Sequence, residues 1–325
     1  MKTENEFPET LQETIVFFAD EQRAFEFVRS IRWENGEATC PRCASKKSYF
    51  LASRRMWKCK GCSHKYGVRF GTIFQDSPLP LGKWMMAFWL LTNAKNGISS
   101  YEIHRAIGVT QKTGWFMLGR IRLAIQNGSI VKMTGTIEAD ETYVGGRAEF
   151  MHKNVKRRRG ITQGNGWYAK TAVVGLLQRP TEAHPVSKVF AAVLPKVPTK
   201  RTAMPHMHAT VEKGTEVHTD SSKIYEDVQR DFIHKVVDHA KAYVQGNVHT
   251  NGLENFWALL KRAIKGTYIS VEPFHLHRYV TEQVFRFNER KDDDQGRFLK
   301  AINGIIGKRL TYKKLIGDDG LRPAA

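Results

Sequence analysis

Thr136-Ile137-Glu138-Ala139-Asp140-Glu141-Thr142-Tyr143-Val144-Gly145-Gly146 is the run whose reading decides the fold. Apolar and β-branched residues alternate with polar ones, and a glycine pair closes the run, which predicts a strand. A two-residue period puts Glu138 and Asp140 on one face and Ile137, Ala139 and Glu141 on the other. A carboxylate in mid-strand is costly unless something neutralises it. A hard divalent cation would do so through oxygen ligands. The bland alternative is a solvated edge strand with scattered acids.

Downstream, Thr171 to Leu177 and Val186 to Val193 read as two further strands, antiparallel to the first or nearly so. Residues 147–166 between them are basic and glycine-broken, and read as a loop. A helix is expected over 201–213, and His234 to Asp238 reads as a late strand. Glu216 to Asp220 is a short strand ending in an acid, followed by Ser221 and Ser222. Such a strand end is a common place for a catalytic carboxylate; capping of a following helix by Asp220 is the alternative.

His249-Thr250-Asn251-Gly252-Leu253-Glu254 opens a helix at a Thr or Asn cap. Glu254, Trp257, Ala258, Lys261 and Lys265 share one face of it. Asn251 and Glu254 also fit a capping box, in which Glu254 merely satisfies the helix start. From Pro273 to Arg290 another helix should pack its aromatics and turn its Arg and His residues toward DNA.

Upstream, Cys40-Pro41-Arg42-Cys43 and Cys59-Lys60-Gly61-Cys62 are separated by 15 residues. Two tight turns that each aim two thiolates at one ion make a zinc ribbon, and four protein ligands leave that metal a structural role. Leu81 to Ala94 is apolar nearly all round and should be a core helix. Ser99 to Gly108 carries a Ser cap and a Gly stop, and Gln111 to Ile125 follows a short turn. The pair reads as a helix-turn-helix whose leading residues Gln111, Lys112 and Thr113 would enter the major groove. A plain three-helix bundle is the alternative.

Lys and Arg number 51 against 32 Asp and Glu, a net charge of +19, which points to a polyanionic partner. A membrane is disfavoured: the longest apolar run, Trp84 to Leu91, falls far short of the ~20 residues a span needs. The acidic amino terminus has no signal-peptide hydrophobic region, so a cytoplasmic protein is expected.

Asp140 to Gly146, His218-Thr219-Asp220 and His249 to Arg262 together resemble the DDE transposases of bacterial insertion sequences. More narrowly, they resemble the subgroup with an N-terminal zinc ribbon and helix-turn-helix; Ile264 to Tyr268 and Phe285 to Arg290 match it too. The resemblance spans roughly 37–290. It implies a multidomain α+β or α/β chain. Residues 1–36 would be a helical segment, 37–72 the zinc ribbon and 73–130 the helix-turn-helix domain. Residues 131–290 would be an RNase H-like mixed-sheet core, and 291–325 a basic tail.

The resemblance further implies Asp140, Asp220 and Glu254 as ligands of two Mg²⁺ or Mn²⁺ ions, beside one structural Zn²⁺ on Cys40, Cys43, Cys59 and Cys62. Some relatives place Asn in the third role, and Asn251 is available. Glu254 is preferred because a carboxylate binds a hard cation better than an amide does. Lys261 and Arg262 are candidate phosphate contacts. The implied activity is cleavage and joining of the element's terminal inverted repeats. The alternatives are a nuclease that cuts without joining and a non-catalytic DNA-binding regulator. Partners would be double-stranded DNA, as ends and target, and a second copy of the chain, in the bacterial cytoplasm at the nucleoid.

Overall fold

The computed structural model describes residues 7–33, 36–126, 131–146, 148–158, 161, 170–194, 198–237 and 248–318. They fall in two compact units, one drawn from Met1–Gln126 and Asp292–Gly320, the other from Asn127–Lys291.

The first unit opens with two helices, α1 (Leu11–Ala19) and α2 (Glu21–Arg32). Asp20 separates them: its side chain accepts from the N–H groups of Gln22 and Arg23, which caps α2. Next come β1 (Ser48–Leu51), β2 (Met56–Cys59) and β3 (Lys65–Tyr66), a three-stranded antiparallel ribbon. Helix α2 covers it. Phe25 stacks on Trp57 with ring centroids 5.9 Å apart, and Arg32 donates to the carbonyls of Val68 and Phe70. Helix α3 (Leu81–Asn93) is buried on most sides, as its apolar sequence demands. Helix α4 (Ser100–Ile107) starts at a Ser99–Glu102 capping box and stops at Gly108, whose φ of 62° suits glycine. Helix α5 (Gln111–Ala124) begins at a Thr110 cap.

The second unit holds a five-stranded mixed sheet. Its strands are β4 (Thr136–Val144), β5 (Thr171–Gln178), β6 (Lys188–Val193), β7 (Glu216–Asp220) and β8 (Ile233–Val237), in the order β6-β5-β4-β7-β8. Strands β4, β5 and β6 pair antiparallel, while β7 and β8 continue parallel to β4. Asp238, expected in the last strand, lies outside the described residues. The expected loop after β4 contains a short helix, α6 (Lys153–Arg158); residues 147, 159–160 and 162–166 of it lie outside the described residues. Helix α7 (Lys200–Thr210) packs on the face of Ile137, Ala139 and Val217 through Met207. The opposite face is covered by α8 (Asn251–Ala263), a π-helical turn (Ile264–Tyr268) and α9 (Pro273–Asn288). Leu253, Phe256, Trp257 and Leu260 of α8 form that core with Val173 and Leu177. This is the mixed sheet with covering helices expected of an RNase H-like core. One arginine of α9 does not face outward as expected: Arg286 is buried against Glu282. Arg290, just past the helix, is exposed and donates to Ser187 of the loop before β6.

Residues expected to form a basic tail return to the first unit. Helix α10 (Asp294–Asn303) packs on α3 and α5, and α11 (Tyr312–Ile316) packs on α5. Buried Arg120 ties this return down, donating to the carbonyls of Leu310, Ile73 and Gln75 at 2.8–3.0 Å.

Candidate active site

Strand β4 reaches the two elements that bear the other candidate acids, one from each face. On the α8 face, Trp257 Nε1 donates to Asp140 Oδ2 at 2.9 Å. The indole can lie there only because its neighbour is Gly175, paired with Asp140 across β4 and β5. A Cβ at position 175 would sit 2.5 Å from the Trp257 ring. Gly175→Ala should therefore cost roughly 1–3 kcal/mol by overpacking and shift Trp257 off Asp140; urea denaturation measures the first effect.

Glu138, on the same face as Asp140, belongs to the fold. It is 1% exposed and accepts from Arg179 Nε at 2.8 Å and from the Leu253 backbone N–H at 3.0 Å. Arg179 also donates to the His249 carbonyl at 2.7 Å. The amino end of α8 is thus held by a carboxylate from the sheet, and Thr250 caps it without a side-chain bond. Gly252 permits the approach, since a Cβ there would stand 2.8 Å from Glu138 Oε2. The capping box of Asn251 and Glu254 does not form, and Glu254 points to solvent in the first turn of α8. Asn251 is likewise exposed, at the first position of the helix. Glu138→Ala should lower stability by roughly 3 kcal/mol or more, because Arg179 would keep its charge without this buried partner; chemical denaturation reads it.

On the opposite face, Glu141 Oε2 accepts from Tyr225 at 2.9 Å and Oε1 from Ser222 at 3.3 Å. Those residues follow Asp220, whose Oδ1 accepts from the Ser222 N–H at 3.1 Å. Strand β7 runs parallel to β4 with Glu138 opposite His218; the same register, continued two residues, sets Asp220 beside Asp140. His218 itself is buried and bonded to Glu216 through Nε2 at 2.7 Å.

Burial lifts the Asp140 carboxyl to about 6; the Trp257 bond opposes the rise, and the charges of Asp220 and Glu254 add to it. Glu141 is raised to about 7, first by burial and then by Asp220. The Lys261 ammonium is lowered by burial and by Lys170, with Asp140 acting the other way. Asp140 thus feels the charges of Asp220 and Glu254, and Lys261 feels that of Asp140. Among the described residues, no three carboxylate or imidazole ligand atoms lie within 4.8 Å of one another.

The four cysteine sulfurs do meet that distance. Cys40 and Cys62 sulfurs are 3.6 Å apart, and those of Cys43 and Cys59 3.5 Å. Tetrahedral Zn–S bonds near 2.3 Å would put sulfurs about 3.8 Å apart. The N–H groups of Cys62 and Gly61 hold the Cys59 thiol down to about 6, which favours the thiolate a metal requires.

The expected base-reading residues are partly occupied. Gln111 donates to Ser100, and the Thr113 and Thr110 hydroxyls share a hydrogen bond. Lys112 is exposed, its ammonium 4.7 Å from the centre of the Tyr312 ring. Arg262 is exposed on α8. Sequence reasoning passed over Arg179, Gly175 and Gly252. Only the position of Arg179 directly after a strand, and of the glycines inside a strand and a helix, hinted at a role.

The chain thus joins a four-cysteine ribbon to a mixed sheet with covering helices. Comparison with known families agrees: a transposase zinc-ribbon domain matches residues 19–65, and an ISXO2-like transposase domain matches residues 132–288. The chain therefore carries a transposase zinc-ribbon domain and an ISXO2-like transposase domain. The ribbon match starts at residue 19 and so takes in α2, which covers the ribbon in the fold. An uncharacterized protein in transposable element ISH50 of Halobacterium salinarum is 29% identical over 255 residues, covering 75% of this chain and 83% of its own length. No helix among the described residues is long and apolar enough to cross a membrane.

Proposed function

We propose that this transposase binds the terminal inverted repeats of its own element and catalyses DNA strand cleavage and strand transfer at Asp140, Asp220 and Glu254. The observation that supports the reading is geometric. The parallel register of β4 and β7, continued two residues, sets Asp220 beside Asp140, and Trp257 of α8, the helix that also bears Glu254, donates to Asp140. Three carboxylates are compatible with one site when cations sit among them. Two Mg²⁺ or Mn²⁺ ions held by these acids would activate a water or a DNA 3′-hydroxyl and stabilise the leaving oxygen.

The chain's own residues do the rest. Trp257 fixes one Asp140 oxygen and leaves the other for a ligand. Glu138 and Arg179 set the amino end of α8, from which Glu254 projects. Ser222 and Tyr225, held by Glu141, set the turn that follows Asp220. Lys261 and Arg262, about two turns further along α8 from Glu254, are placed for the DNA phosphates. Two DNA ends must be held at once, so a dimer or larger assembly acts.

A strand-transfer assay with Mg²⁺ and duplexes carrying the element's repeats tests the reading. Joined products support it; cut products alone make the chain a nuclease; a shifted band without either makes it a binder. The raised carboxyls also give a pH effect. Asp140 and Glu141 bind protons more tightly folded than at their ordinary values of 3.8 and 4.5. Without added divalent cation, and with the ribbon metal left in place, these two carboxyls should contribute stability that is lost as pH rises from about 4 to about 7. Mg²⁺ should flatten that fall. Desolvation holds His206, His218, His234 and His277 below their ordinary value, and they act in the opposite sense. The effect is therefore read as the difference in melting temperature between native protein and Asp140→Asn/Glu141→Gln. An identical pH slope in the two counts against the raised carboxyls.

A further inference from the structure

The carboxy-terminal segment does not trail as a tail. It sits against the first half of α5, the helix whose leading residues would meet DNA. The Tyr312 ring lies under the Lys112 ammonium, with its centroid 5.7 Å from that of Phe116 and 6.5 Å from that of Trp115. Leu315 is buried against Gly119, where a Cβ would approach its methyl to 3.0 Å. Thr311 caps α11 through the Lys314 N–H, and Arg120 fixes the preceding Leu310 carbonyl. The segment is therefore seated in one orientation. It turns Tyr312, Leu315 and Ile316 inward and leaves Lys313 and Lys314 exposed; in the chain they directly follow Tyr312, whose ring meets Lys112.

Lysines on a rigid, aromatic-backed surface suit a polyanion, since each phosphate neutralised releases a counterion. In a helix-turn-helix arrangement the second helix enters the groove by its first turns, and elements beside those turns meet the flanking backbone.

We propose that α11 and the start of α5 form one composite surface for duplex DNA, in which Lys313 and Lys314 grip the phosphate backbone beside the groove that Lys112 approaches. This rests on the reading of the chain as a binder of its element's ends. The grip is indifferent to base sequence, so it sets affinity and register and leaves recognition to α5.

The test is fluorescence anisotropy on full-length protein across a salt series, with a terminal-repeat duplex and a scrambled duplex of equal length. The variant is Lys313→Glu/Lys314→Glu. The control is Lys213→Glu/Arg230→Glu, an equal charge change at side chains 78% and 76% exposed in the other unit. The first pair should weaken both duplexes by roughly tenfold or more and make the salt slope shallower by about two, while the control moves neither much. Circular dichroism and melting curves matching the native protein establish that α11 still folds; Lys313→Gln/Lys314→Gln serves if the reversal does not fold. An unchanged salt slope in a folded variant overturns the composite surface while leaving end binding intact. Native protein without salt-dependent affinity for either duplex overturns the end-binding reading, and the surface with it.

Discussion

Asp140→Ala, Asp220→Ala and Glu254→Ala should each abolish strand cleavage and joining while leaving affinity for a terminal-repeat duplex within a few fold. The expected loss is about a thousandfold or more, since removing one metal-holding carboxylate forfeits several kcal/mol of charge stabilisation and each 1.4 kcal/mol is a factor of ten. Binding survives because the acids contribute no favourable charge toward phosphate. Asp140→Ala carries one complication, because it also removes the acceptor of Trp257 Nε1. Asp140→Asn keeps an acceptor there and should be equally inactive, which separates the chemistry from the packing. Cleavage retained in any one of the variants removes that residue from the proposed site. If Glu254→Ala stays active and Asn251→Ala does not, the third role passes to the amide three residues earlier.

Chelation of the ribbon metal should have the other large effect. The ribbon has strands of four, four and two residues, too little to hold together alone. Structural zinc contributes on the order of 10 kcal/mol to such folds. All four cysteines of the chain are in this cluster, so thiol reactivity reports on it alone. Thiols that react slowly should become fast when a strong chelator is added, with loss of DNA affinity, and Cys59→Ser should behave like chelated protein. The mixed sheet shares no residue with the ribbon and should keep its melting transition. Fast thiols and full DNA affinity in untreated protein, both unmoved by chelator, would show that no metal holds this domain.

The central strand was legible because both its faces are covered: its even positions meet α8, and its odd positions meet α7 and the turn after Asp220. A strand so enclosed writes its period into the sequence. The three acids could be singled out by their places, Asp140 in mid-strand, Asp220 at a strand end and Glu254 in the first turn of a helix, and by the resemblance their surroundings carry. What holds those places was not legible. Arg179 reaches Glu138 across 41 positions, and Glu138 reaches Leu253 across 115. No local pattern encodes such pairs. Glu138 has the same strand face as Asp140 and reads like a ligand, and only its buried partners distinguish it. Arg286 looked like a surface cation because its burial depends on Glu282 one turn away on the same helix.

Because α10 and α11 complete a unit begun at the other end of the chain, the order of synthesis matters. A ribosome that has made residues 1–126 has not yet made the carbonyl that Arg120 needs or the helix that covers α3. The amino-terminal unit is therefore finished last, after the whole mixed sheet has emerged. Prematurely terminated products would carry an amino-terminal unit that lacks the helices covering α3 and α5.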